Sequence, residues 1–115
     1  MPIGRTYGAR RYNERIILTL AEVSVDEFGH ASYSDPVDVK EVYAYVEQMS
    51  ATKTMMTFQQ VDAIGIDVEF RNPHIRFNGI RYRGHDVHFS QPQEVERGRI
   101  LRITGWYQQD NPRML

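Results

Sequence analysis

Three histidines and three arginines fall within residues 74–89, HIRFNGIRYRGHDVHF, among evenly spaced apolar residues. Two chemistries call for such side chains: metal ligation by imidazole with a carboxylate, and capture of phosphate or carboxylate by guanidinium forks. His74, His85 and His88 with Asp86 are the candidate ligands. Their spacing matches no metal motif, and His85 and His88 share no strand face unless a bulge separates them. Each ring would also need an outer hydrogen-bonding partner. Solvated surface histidines are the simpler reading, and no metal or cofactor is expected.

Catalytic patterns are equally thin. The chain has no cysteine, hence no thiol nucleophile. It has no Gly-x-Ser-x-Gly elbow, no glycine-rich phosphate loop and no His-Glu-x-x-His. Asp67 and Glu69 lie on one strand face, where paired carboxylates could do glycosidase-like acid/base work. Neutralising nearby arginines is their plainer role. No catalytic residue is assigned, and the chain is not expected to be an enzyme.

The arginines leave two readings open. Arg76, Arg81 and Arg83, interleaved with Phe77 and Tyr82, suit a surface for single-stranded nucleic acid. They suit carboxylates of another protein equally well. Charge is segregated along the chain: +3 over residues 1–19, −8 over 20–70 and +4 over 71–115, for a net −1. A nucleic-acid binder is normally basic overall. A chain with an acidic and a basic part can complement itself, or a copy of itself.

Strands must position these groups. Asn78-Gly79 between alternating apolar residues predicts a type I′ hairpin. Counting outward, Phe77 faces Ile80 and Ile75 faces Tyr82 on the buried side. Arg76 then opposes Arg81, and His74 opposes Arg83, on the other. Like charges directly opposed destabilise a sheet, so acids must answer them: Asp67 and Glu69 in the same chain, or a neighbour's acidic region. A bulge near Gly84 is needed to return Val87 and Phe89 to the core side.

Elsewhere, residues 12–25 read as one long strand, apolar on both faces and therefore central. DEFGH is a turn, and residues 31–35 form a short return strand stopped by Pro36. VDVKEVYAYVEQM alternates with period two and reads as a strand. IGIDVEFR places Ile64, Ile66, Val68 and Phe70 inward, with Asp67, Glu69 and Arg71 outward. GRILRITGWYQ is the last strand. SATKTMMTFQQVDA loses the pattern and is open between loop, arm and short helix. It is expected to be a mobile loop around 50–60. Its Met55, Met56 and Phe58 are candidate docking residues.

A chain of 115 residues is one domain with a modest core. The expectation is an all-β protein, a small barrel or sandwich of six to seven mainly antiparallel strands. Residues 1–11 form a flexible arm, 12–109 the β-domain and 110–115 a loose tail. No apolar run is long enough to span a membrane, the N-terminus lacks a secretion signal's apolar core, and the lack of cysteine suits a reducing compartment.

The order of motifs is similar to that of a known family. A basic N-terminal segment leads into VSVDEFGHASY; VKEVYAYVEQMSATK follows, then IDVEFR, HIRFNGIRYRG and RGRILRITGWY. Over residues 12–109 this resembles the head–tail joining (head-closure, head–tail adaptor) proteins of tailed bacteriophages and prophages. GHDVHF departs from the pattern. The resemblance implies a small, non-enzymatic β-barrel in the virion, assembled in the host cytoplasm as a homo-oligomeric ring although the isolated subunit can be a monomer. Its implied partners are the portal or adaptor and a tail-completion protein, and DNA would pass through its channel without sequence-specific binding. Arg76, Arg81, Arg83, Met55, Met56 and Phe58 are then candidate subunit or partner contacts. The alternatives are a small barrel binding single-stranded nucleic acid, and a tail-completion protein.

Overall fold

The structure is a computed structural model in which residues 11–109 are described. The expected arm over residues 1–11, apart from Arg11, and the tail over 110–115 lie outside them. The fold is all-β. The strands are β1 (Glu14–Leu20), β2 (Val23–Val25), β3 (Ala31–Tyr33), β4 (Val37–Gln48), β5 (Ala63–Arg71), β6 (Gly79–Tyr82), β7 (His85–Asp86), β8 (His88–Phe89), β9 (Gln93–Val95) and β10 (Ile100–Gln108); one helix, α1 (Ala51–Phe58), and a 3-10 turn, Glu96–Gly98, complete the order.

Eight strands form one antiparallel sheet in the order β7-β6-β1-β4-β5-β10-β8, with β9 also on β10. Its two ends are neighbours in sequence. β7 pairs with β6, β8 pairs with β10, and only Val87 separates them. The Val87 amide donates to the Ile80 carbonyl at 2.9 Å. Residues 85–89 therefore cross from one edge of the sheet to the other and nearly close it into a barrel, which hides strand edges that would otherwise invite pairing. The barrel holds Ile16, Leu18, Ala44, Ile66, Val68, Phe70, Ile80, Tyr82, Val87, Leu101, Ile103 and Tyr107. The residues expected inward on β5 are found there: Ile66, Val68 and Phe70 are in this core, and Ile64 packs against it.

The expected hairpin turn is displaced. Residues 72–77 are not a strand, and neither Asn78 nor Gly79 has a positive φ. The two-residue turn is Arg83-Gly84, with φ of 51° and 81°, closing Tyr82 against His85. A type I′ turn needs positive φ at both central positions, which glycine supplies at no steric cost. This turn replaces the expected bulge in returning Val87 to the core. The opposed Arg76–Arg81 pair disappears with the register, because Arg81 lies across from Ile17 and Asp86.

Three further expectations change. The single strand over 12–25 is two strands. Asn78 sits at the break and clips it: its side-chain oxygen accepts the Ala21 amide at 2.9 Å, and its side-chain nitrogen donates to the Ala21 carbonyl at 2.8 Å. One residue on, Glu22 changes partner, with its amide donating to the Ser34 hydroxyl and its carbonyl accepting the Ser34 amide. The expected loop around 50–60 is the two-turn helix α1, capped by the Ser50 hydroxyl, which accepts the Lys53 amide. The six to seven expected strands become ten because short segments at the seam pair separately.

Candidate interaction surfaces

Arg81 and Arg83 are engaged within the chain. Arg81 donates to Asp38 at 3.1 Å and to Asp86 at 3.3 Å. Arg83 reaches Glu14 at 3.3 Å and covers the Tyr82 ring. These acids are not the expected Asp67 and Glu69. Asp67 accepts the Thr104 hydroxyl at 2.9 Å, and Glu69 faces Arg102 at 3.4 Å. Both partners stand directly across from them on β10. Glu69, read as an outward residue, is only 2% exposed, since β4 and β10 flank it and Tyr45 opposes it from β4. Arg76 alone of the three is exposed without an ion-pair partner among the described residues. Arg76 therefore does not stand opposite Arg81, and the other two arginines already meet acids of their own chain.

The histidines are dispersed too. His85 stacks on Tyr107 at 4.5 Å, and His88 stacks on Trp106 at 4.3 Å, one on each side of buried Val87. His85, in register with Tyr82 and stacked on buried Tyr107, lies toward the inner face, whereas exposed His88 lies on the outer face beside Trp106. Among the described residues no three histidines or carboxylates approach closely enough to hold a metal ion. Burial raises the phenol pKa of Tyr82 and of Tyr107 above the ordinary value, because the ionised form would lose its hydration.

On α1 the three candidate docking residues divide. Met55 and Met56 are exposed, while Phe58 is half-buried against Trp106, ring centres 6.5 Å apart. Thr54 anchors the helix, buried and accepting the Gly65 amide from β5.

The most prominent exposed feature is one that sequence reasoning missed. β2 and β3 form a separate two-stranded ribbon in which every residue is exposed. Cross-strand pairing puts Val23 beside Tyr33 and Val25 beside Ala31 on one face; Ser24 and Ser32 face the other way and share a hydrogen bond of 2.9 Å. The apolar face is bare: Val25 is 63% and Tyr33 72% exposed. The tip is tightly built. Asp26 Oδ1 accepts the amides of Phe28 and His30, the Asp26 carbonyl accepts the Gly29 amide, and the His30 carbonyl accepts the Asp26 amide. Phe28, within this turn, is 77% exposed. The signal was present as alternation in VSV and ASY. It was absorbed into a central strand, since sequence does not show where a strand changes partner.

Ribbon and root are acidic. Residues 21–39 carry Glu22, Asp26, Glu27, Asp35 and Asp38 and no lysine or arginine. A basic-rimmed cleft of about 840 Å³ lies where β4 parts from β5, with Lys40, Tyr43, Arg71, Pro73, Arg99 and Ile100 on its walls. β4 pairs with β5 only from Ala44 onward. Its preceding half has β1 on one side and, among the described residues, no strand on the other. Glu41 and Glu96 also line the cleft. Glu41 is held by Arg15 at 3.4 Å, and its carboxylate raises the Arg15 pKa above the ordinary value.

No family model matches this chain, and no curated protein matches it. Among solved structures, the chain is similar to the solution structure of protein SF1141 from Shigella flexneri 2a. The TM-score is 0.56 with 16% identity, over 84% of this chain and 93% of that one. Identity this low carries the fold alone.

Proposed function

We propose that this chain is a structural subunit of a ring at the head–tail joint of a tailed phage or prophage particle, extending the DNA channel between the portal or adaptor and the tail. One observation carries the assembly part: a nearly closed barrel that projects a tightly turned ribbon with its apolar face uncovered. An isolated two-stranded ribbon is marginal in water, and exposed apolar patches on folded domains mark interaction sites. Such a ribbon gains stability from a protein partner. The order of sequence motifs, similar to that of head-closure proteins, directs the reading to the phage joint. A tail-completion protein is the neighbouring alternative.

The single-stranded nucleic-acid reading has less support. Tyr82 and Phe77, the residues for base stacking, pack in or against the core. The exposed aromatics Phe28 and Tyr33 stand on a segment with five acids and no basic residue, which repels phosphate.

Particles made by the host that carries this gene provide the test. Mass spectrometry of purified particles should detect the chain in several copies, and antibody labelling should place it at the vertex where the tail attaches. A chain found only in the soluble cell fraction, bound to nucleic acid, refutes the ring and favours the alternative.

A further inference from the structure

Building on the ring reading, we infer that the β2–β3 tip of one copy seats in the cleft between β4 and β5 of the next, so that tip and cleft form the subunit contact. Phe28 would enter the apolar part of the cleft, beside Pro73 and Ile100. The carboxylates of Glu27 and Asp26 would meet Lys40, Arg71 and Arg99 at its rim.

Four observations converge on a second copy of this chain. First, the tip is a hydrogen-bonded turn that holds a phenylalanine in water. Ordering such a side chain outward has no benefit in the isolated subunit, whereas an aromatic anchor entering a preformed pocket is the usual centre of an interface. Second, charge is complementary: five acids and no basic residue from 21 to 39, against two arginines and a lysine at the cleft, where one of the two acids is already paired with Arg15. An acidic ribbon is repelled by DNA and by anionic lipid, so a cationic protein surface is the fitting target.

Third, the cleft is bordered by the half of β4 that pairs with β1 on one side and, among the described residues, has no strand on the other, so this edge can receive an incoming segment. Its volume of about 840 Å³ leaves ample room for one phenyl ring and the turn around it. Fourth, the ribbon stands away from its own barrel, exposed on both strands, so its tip is offered outward. Tip and cleft are different surfaces. Joining them repeats head-to-tail, and a repeat of that kind closes into a ring when the rotation allows.

The chain's lack of cysteine makes a clean test available. His30→Cys, which leaves Phe28 in place at the tip, and Tyr43→Cys are made in separate full-length chains; both positions are exposed, so neither change disturbs the core. The two chains are mixed and oxidised mildly. A disulfide joining one chain of each kind is expected as the main product, and a ladder of higher species from a chain carrying both changes. Sedimentation of Glu27→Lys and Arg71→Glu chains adds an independent reading. Each alone should associate at least tenfold more weakly than the unmodified chain, and mixing the two should restore association, since the swapped charges again oppose.

His30→Cys homodimers as the main product would mean tip-to-tip packing and overturn the inference. Failure of both the mixed disulfide and the charge-swap rescue would overturn it too, leaving the ribbon for a different partner. Neither result touches the position of the chain in particles, which tests the ring reading separately.

Discussion

Gly105 lies on the inner face of β10 where β8 closes the barrel, in register with Phe89. A Cβ there would sit 2.6 Å from the His88 carbonyl oxygen, 2.8 Å from Val87 Cγ1 and 3.1 Å from Phe89 Cβ. Two of these atoms are backbone or fixed directly to it, so no side-chain rotation relieves the clash. The seam must move instead by several tenths of an ångström. Overpacking of this kind costs ~1–3 kcal/mol. Moving β8 also weakens its two residue pairings to β10, and each lost hydrogen bond costs ~1 kcal/mol. Gly105→Ala should therefore destabilise the fold by about 3–5 kcal/mol, lowering Tm by roughly 12–20 °C at about 4 °C per kcal/mol. Urea and thermal unfolding measure the loss. Hydrogen exchange then shows where it falls: the amides of residues 87–89 should lose protection before those of β1 and β5. A cost below about 1 kcal/mol with unchanged exchange at the seam would show that residues 85–89 do not close the barrel.

Alkali should destabilise the protein. The phenols of Tyr82 and Tyr107 have raised pKa values in the fold, so the unfolded chain ionises first and gains as pH rises; stability is fully present below the ordinary phenol value of about 10 and is lost as pH climbs through the folded value. Thermal melts from pH 8 to 11 should show the decline, and Tyr107→Phe should flatten it. Ser50→Ala removes the helix cap and should cost about 1 kcal/mol in urea unfolding; a cost near zero would mean α1 frays in solution, as the sequence pattern suggested. Replacing residues 23–33 by a short turn should leave a folded barrel of nearly unchanged Tm, because that ribbon is exposed throughout; collapse of the fold would show that the ribbon supports the barrel. Arg76→Ser with Arg81→Ser should cost under ~1 kcal/mol, since the Arg81 ion pairs lie at the surface.

Period-two alternation determined which residues share a strand face and, for IGIDVEFR, which of them face inward. Ile16, Leu18, Ile66, Val68, Phe70, Leu101 and Ile103 are in the core because side chains of a strand alternate faces whatever it pairs with. Composition and turn residues likewise determined the all-β class, and the DEFGH turn lies where it was read. Partner choice was decided only in three dimensions. Asn78-Gly79 carries the strongest local hairpin signal, yet the Asn78 side chain is bound to Ala21, fifty-seven positions away, and the turn forms five residues on at Arg83-Gly84. The same long-range clip ends β1 and frees β2 to leave the barrel, so a strand read as central becomes an exposed ribbon. Glu69 is buried for a comparable reason: alternation puts it outward, and only the flanking strands cover that outer face. Of the ion partners of Arg81 and Arg83, Asp86 comes across the tight Arg83-Gly84 turn, while Glu14 and Asp38 stand on β1 and β4, placed near β6 by the strand order of the sheet. Local pattern sets which way a side chain points, because backbone geometry repeats every two residues. What it points at depends on strand order and register, and those are set by contacts between residues far apart in the chain.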